Sequence, residues 1–205
     1  MSVSEPVKDD VIQKQILQAA KQLFQAHGLQ KVTMDDVAKA VGKGRSSLYY
    51  YYKSKDEILD AVMDSEISEN LAAVAVAVAQ ESTSEQKIKA FYLTRLQLLE
   101  KRRALYSALD VGMDATEMSN FNKAKHLIHK RVIEKESELL RQLLTFGIKT
   151  GELRPMEPAE QEDLIFVLLS SLHGLKREMV LENDFSRMET AVSSLARLVI
   201  HGLKK

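Results

Sequence analysis

The chain has 205 residues, 45% hydrophobic and 28% charged, with 29 basic residues balanced by 29 acidic ones and no cysteine. That length holds one or two small domains with a real core, and the composition is that of an ordinary globular protein. No cysteine means no disulfide framework and no thiolate zinc site, which fits a reducing, cytoplasmic setting. No apolar run reaches membrane-spanning length, and the polar, acidic start MSVSEPVKDD does not read as a signal peptide. Only eight glycines and three prolines point to an all-α chain. With zero net charge overall, any surface for a polyanion has to be local.

Residues 1–8 read as a disordered arm. From Asp9 or Asp10 to His27, Val11, Ile12, Ile16, Ala19, Ala20, Leu23 and Phe24 form an apolar stripe, and Gly28 is a natural stop. Thr33, with Asp36 three residues on, caps a short helix carrying Val37, Ala38 and Val41. Gly42 and Gly44 break it, and a second short helix follows from about Arg45 to Tyr51, with Leu48 and Tyr52 able to face the same core. Two helices joined by a glycine-containing turn match a helix-turn-helix. Between Lys39 and Lys55 lie Lys43, Arg45 and Lys53 and no acidic residue, interleaved with Ser46, Ser47, Tyr49, Tyr50 and Tyr51. Cations and hydroxyls together suit phosphate oxygens, and residues early in the second helix can reach base edges in a major groove.

Ser54 with Glu57 forms a capping box, placing Lys55 in the first turn of a long helix to about Gln80. Ser82-Thr83-Ser84-Glu85 opens another helix to about Lys101. Lys101-Arg102-Arg103 reads as a charged helix end before a turn. A short helix over Ala104–Val111, ended by Gly112, and a polar loop over Asp114–Asn122 come next. Phe121–Thr150 is a long amphipathic helix closed by Gly151, with Leu140, Leu143, Leu144 and Ile148 among its inward residues. Pro158 suits the first position of a helix to about Leu181, and Ser186 with Glu189 caps a last helix to about His201. These last two helices carry more apolar surface than one face requires, with Ser170, Ser171 and Gly174 allowing close approach, and read as a homodimer interface. The count comes to about nine helices, divided as the arm, a helix-turn-helix domain over 9–54 and a helical ligand-binding and dimerisation domain over 55–205.

Ile16-Leu17-x-Ala19-Ala20-x-x-Leu23-Phe24-x-x-x-Gly28, then Val32-Thr33-Met34-Asp35-Asp36-Val37-Ala38, Gly42, Leu48-Tyr49-Tyr50-Tyr51-Tyr52 and Lys53-Ser54-Lys55-Asp56-Glu57-Ile58-Leu59 closely resemble the amino-terminal domain of TetR-family transcriptional regulators. The resemblance covers roughly residues 10 to 62 and is an ordered string of motifs at the right spacing. It departs at Lys43-Gly44-Arg45-Ser46-Ser47, where many members read Val-Ser-Lys-Gly-Thr, and at Tyr52, where phenylalanine is commoner. It implies an amino-terminal three-helix DNA-binding domain, with Thr33, Tyr50 and Lys55 clamping the DNA backbone and Lys43, Arg45, Ser46 and Tyr49 nearer the bases. It also implies a homodimer on a palindromic operator and a small molecule that displaces it.

Phe91, Tyr92, Arg95, Tyr106, Met113, Met118, Phe121, His129, Phe146 and Phe166 are the candidates to line a ligand cavity, although aromatics and methionines at helical spacing also fill cores. The chain does not read as an enzyme. Gly42-Lys43-Gly44-Arg45-Ser46-Ser47 lacks the phosphate-loop spacing and follows a helix, no nucleophile has an assigned base, and no cofactor motif is present. His126 and His129 lie three apart on one helix but without the carboxylates a metal would want. The expectation is a DNA-binding regulator, most often a repressor in such families. The alternative is a helical interaction protein whose basic turn holds an acidic protein partner.

Overall fold

The computed structural model describes the backbone of residues 5–109 and 115–204, and the side-chain surroundings of residues 9–101, 126 and 128–204. Among these residues it is all-helical, with α1 Glu5–His27, α2 Met34–Ala40, α3 Arg45–Tyr51, α4 Lys55–Gln80, α5 Ser84–Leu109, α6 Ala115–Thr150, α7 Pro158–Leu181 and α8 Met188–Leu203. That is eight helices rather than about nine, because α5 runs through Lys101-Arg102-Arg103 to Leu109. Nothing in Lys101–Leu109 breaks a helix, and arginine, alanine and leucine are good formers. Likewise α6 opens at Ala115, not Phe121, since Ala115–Asn122 contains neither glycine nor proline. α1 starts at Glu5, four residues before Asp9.

Two compact units emerge, Met1–Ile67 with Arg102–Ile128 and Ser68–Lys101 with His129–Lys205. The first division falls at Ile67 rather than at Ser54 because the opening turns of α4 pack into the amino-terminal core. Ile58, Leu59, Val62 and Met63 are buried there with Ile16, Ala20 and Phe24 of α1, Val37 and Ala38 of α2, and Leu48 of α3. The α1 residues recur every fourth position, the spacing that puts them on one face. Glu66, 2% exposed, forms an ion pair with Lys21, tying α4 to α1 inside this unit.

The second unit has a core of its own, including Ile88, Phe91, Tyr92 and Leu96 of α5, Leu140 and Leu144 of α6, Ile165, Leu168 and Leu172 of α7, and Val192 and Ala196 of α8. Its helix ends partly follow the expected signals. Gly151 closes α6 at φ 76 and Pro158 opens α7. Asn183, at φ 52, ends α7 in the left-handed region that asparagine tolerates, with the Asp184 N–H donating to the Met179 carbonyl at 3.1 Å. Other caps differ. At α5, Thr83 rather than Ser82 is the capping residue, accepting from the Gln86 N–H at 3.3 Å and donating to the Gln86 side chain at 3.0 Å. At α8 the cap is Arg187 with no side-chain bond, and the Ser186 N–H instead donates to Asp184 Oδ1 at 2.8 Å. Capping patterns one residue apart look alike in sequence, and packing chooses between them.

Gly147, inside α6, leaves no room for a side chain. A Cβ there would lie 2.5 Å from Ser84 Oγ and 2.6 Å from the Leu153 side chain, whose own N–H donates to the Gly147 carbonyl at 3.0 Å. Replacing Gly147 by alanine is expected to destabilise the second unit by about 1–3 kcal/mol, although alanine in an open helix interior would stabilise it. A raised thermal midpoint for that variant would show that the Leu153 turn moves aside freely.

Candidate nucleic-acid interface

α2 is held by a reciprocal cap. The Asp36 N–H donates to Thr33 Oγ1 at 3.2 Å and the Thr33 N–H to Asp36 Oδ2 at 2.9 Å. The Thr33 hydroxyl, donating to Asp36 Oδ2 at 2.7 Å, and after it the Thr33 N–H hold the Asp36 carboxyl below the usual carboxylate range. The helix then ends in a Schellman turn, with Gly42 at φ 65, the Lys43 N–H on the Ala38 carbonyl at 2.9 Å and the Gly42 N–H on the Lys39 carbonyl at 3.0 Å. Gly44 precedes α3, a helix of 7 residues in which Leu48 alone is buried.

With Leu48 turned inward, α3 bares part of its opposite side. Lys43, Arg45, Ser46 and Tyr50 are exposed, Tyr50 at 70%, and Tyr49 is half-buried. Arg45 lies 5.5 Å over the Tyr49 ring, 3.5 Å from its hydroxyl, and 3.3 Å from Asp35. Tyr49 and Asp35, in that order, hold its guanidinium above its ordinary value. Arg45 is thus steadied from α2 and from its own helix, with its charge kept at the surface. Tyr51 belongs elsewhere, since its hydroxyl donates to Asp9 Oδ1 at 2.8 Å and joins α3 to α1.

Two other lysines of the basic segment bind backbone carbonyls. Lys53 Nζ donates to the Tyr49 carbonyl at 2.7 Å. Lys55, half-buried, donates to the Leu29 carbonyl at 2.9 Å, fastening α4 to the turn after α1, a structural task that sequence spacing does not reveal. Its helix start is capped as expected in part: Glu57 N–H donates to Ser54 Oγ at 3.1 Å, but the Glu57 carboxylate takes the Lys53 N–H at 2.6 Å. The surface as a whole presents an exposed face of Lys43, Arg45, Ser46 and Tyr50 on one short helix and the turn before it. Such a face offers hydrogen-bond donors and positive charge to a groove edge or a phosphate.

In the second unit the described members of the predicted cavity set differ in their surroundings. Phe91 and Tyr92 are fully buried core. Phe146 is half-buried with Lys87 Nζ 4.7 Å from its ring centre. Phe166 is 72% exposed on α7 and so lines no interior of this unit. The side chains of Tyr106, Met113, Met118 and Phe121 lie outside the described residues. An open groove of about 510 Å³ beside Glu85, Ser194, Arg197, Leu198, Ile200, His201 and Lys204 includes none of the predicted lining residues. No group of three or more metal-ligating side chains occurs among the described residues, and no described helix is long and apolar enough to cross a membrane.

Tyr92 has its polar handle already occupied. Its hydroxyl lies 2.5 Å from the Leu168 carbonyl and 2.7 Å from Ser171 Oγ, and burial pushes its phenol from the ordinary 10.0 up to about 12. A raised folded value means stability that is complete below pH 10 and is lost as pH climbs toward 12. Tyr92→Phe is therefore expected to cost about 1 kcal/mol at neutral pH and to flatten the decline between those two pH values, read from denaturant midpoints across the range. An unchanged alkaline slope would place the sensitivity on another group.

Arg95 and His129 fall in a different setting. Arg95 of α5 forms an ion pair with Glu136 of α6, their side chains 14% and 0% exposed. His129 is exposed at the surface of α6, its ring 5.1 Å from that of His173 on α7. Glu136 itself was missed from sequence, because within the charged run Glu134-Lys135-Glu136-Ser137-Glu138 of an amphipathic helix a glutamate reads as solvent-facing.

Comparison with known proteins bears on both units. Residues 16–62 match the family described as bacterial regulatory proteins, tetR family. The HTH-type transcriptional regulator YhgD of Bacillus subtilis is 23% identical over 190 residues, 93% of this chain and 95% of its own. The HTH-type transcriptional repressor AcnR of Corynebacterium glutamicum is 24% identical over 197 residues, 95% of this chain and 90% of its own. The solved structure of the transcriptional regulator FadR from Bacillus subtilis in complex with stearoyl-CoA superimposes with a TM-score of 0.64 at 17% identity, over 93% of this chain and 98% of that one, a likeness of fold.

Proposed function

From the premise that this chain belongs to the TetR family of bacterial regulatory proteins, we propose that it is a dimeric repressor that reads a palindromic operator through α3 and leaves it when a small molecule binds the carboxy-terminal unit. The observation that carries the reading is the exposed face of Lys43, Arg45, Ser46 and Tyr50 on α3 and the turn before it, opposite the buried Leu48. A recognition helix needs that division, one side in the core and the other bare for the groove. Dimerisation is supported by α7 and α8, where Phe166, Val167, Leu181 and Leu198 are 72%, 57%, 65% and 73% exposed. Apolar side chains bared to that degree on neighbouring helices favour a covering partner, and a second copy would set two α3 helices on one duplex.

Release needs differential affinity, a ligand favouring a conformer unable to hold both half-sites. α4 supports this, since its residues up to Ile67 belong to one unit and those from Ser68 onward to the other. A repressor, AcnR, and a regulator holding an acyl-CoA, FadR, stand among the proteins this chain resembles, and both fit the reading. Selection from a randomised duplex pool at moderate salt tests it. Enrichment of a palindrome with half-sites on one face of the helix is expected. Binding that a single acidic polymer competes away as well as the selected duplex does would instead favour an acidic protein partner.

A further inference from the structure

Arg45 is gripped from two sides before any DNA arrives. Its Nε lies 3.3 Å from Asp35 Oδ1 on α2, an oxygen closed to solvent that has no other partner among the described residues. One turn along α3, the Tyr49 ring lies under the guanidinium, its centre 5.5 Å from the central carbon, and the Tyr49 hydroxyl accepts from Nη2 at 3.5 Å. Even so, the Arg45 side chain is 65% exposed. A long exposed side chain held at Nε and along its plane has already given up much of the rotamer freedom that an untethered arginine would lose on binding. The grip also decides which edge of the guanidinium is left. With Nε facing Asp35, the side-on fork of Nε and Nη2 is closed. The end-on fork of Nη1 and Nη2 remains, since Nη2 keeps a second hydrogen.

A phosphate is a poor match for that fork. Phosphate contacts reward unneutralised positive charge, and a carboxylate 3.3 Å from Nε offsets that charge and repels the phosphate itself. A base edge rewards direction instead. The two donors of an arginine fork fit the O6 and N7 acceptors of guanine in the major groove, whereas adenine sets a donor of its own where guanine has O6. We propose that Arg45 reads a guanine in each half-site through Nη1 and Nη2, and that Asp35, touching no base itself, is the positioning residue that fixes the fork. The proposal rests on the reading of α3 as a recognition helix, and names the base that helix selects and the neighbour that makes the choice strict. The charge of Asp35 opposes all DNA alike, while the fixed fork favours one base, so the pair gives up affinity and gains selectivity.

Selection from the randomised pool with full-length variants tests it, together with fluorescence anisotropy on the selected and on a random duplex across a range of salt. The wild-type half-site should contain a strongly preferred guanine that Arg45→Ala relaxes while the other positions hold, with the salt slope little changed. Asp35→Asn should lower the preference for guanine over adenine at that position by about tenfold, while its affinity for the random duplex stays level or rises. A phosphate contact would behave differently. Arg45→Ala would then relax no position and reduce the salt slope by about one per contact, and Asp35→Asn would bind both duplexes more tightly with its guanine preference intact. Either result overturns the proposal. Loss of binding to both duplexes by Asp35→Asn, with a lowered thermal midpoint, would mark Asp35 as a support of α2 and overturn its positioning role. A palindrome whose base preferences ignore both substitutions sinks this proposal alone. A pool from which the wild type enriches no palindrome sinks the reading beneath it as well.

Discussion

Replacing Arg45 by alanine is expected to weaken binding to the selected operator by about a hundredfold or more while leaving the thermal midpoint where it was. A guanidinium in direct contact with a base edge or phosphate is worth about 1–3 kcal/mol, and a two-fold dimer loses that contact in both half-sites. What the free protein loses is small. The partner of Arg45 is Asp35, 3.3 Å away with both side chains largely exposed, and such pairs are worth about 0–1 kcal/mol. Arg45→Lys separates the two uses of the residue. A lysine keeps the charge but not the planar fork, so near-normal affinity would assign Arg45 to phosphate, and affinity lost on the selected duplex but kept on random DNA would assign it to a base. Unchanged affinity in the alanine variant would mean the DNA surface lies elsewhere.

Leu48→Ala should act through the opposite face of the same helix and cost about 2–5 kcal/mol. Leu48 is 1% exposed and is the buried residue of α3, whose 7 residues are far too few to hold a helix unaided. The amino-terminal unit should lose its fold, and DNA binding with it. The second unit has its own core, so far-ultraviolet circular dichroism should show an early partial transition followed by one at the original midpoint. A single transition displaced as a whole would show that the two cores melt as one.

Local signals in the sequence suffice where the chemistry is local. Gly42 and Gly151 at positive φ, the Thr33–Asp36 cap and Pro158 at the head of α7 each follow from one residue type and its immediate neighbours. So does the exposure of Arg45 and Ser46, since a short amphipathic helix has only one face to give up. Matters set by distant partners were not legible. Lys55 lies 26 residues from the Leu29 carbonyl it binds, and nothing in its neighbourhood announces that duty. Glu136 and Arg95 sit on different helices. Gly147 looks like any weak point in a helix until Ser84 and Leu153 close on it. Phe166 has the type and spacing of a cavity residue, but aromatic type and helical spacing say how often a side chain is buried, not toward which neighbour it points. The break expected after Lys101 failed for another reason. A cationic run often ends a helix, but without glycine or proline it does not oblige one to end.

Two cores in one chain also shape how descendants of this protein can diverge. Substitutions around Phe24 and Leu48 are judged by whether a DNA-reading surface keeps its shape; those around Tyr92 and Leu168 are judged by what the other unit holds. Lineages can therefore exchange one specificity while conserving the other. α4 has no such freedom, because Ile58 and Val62 serve one core and Val74 the other. Its sequence should drift more slowly than its exposure alone would suggest, as the segment on which both histories of selection fall.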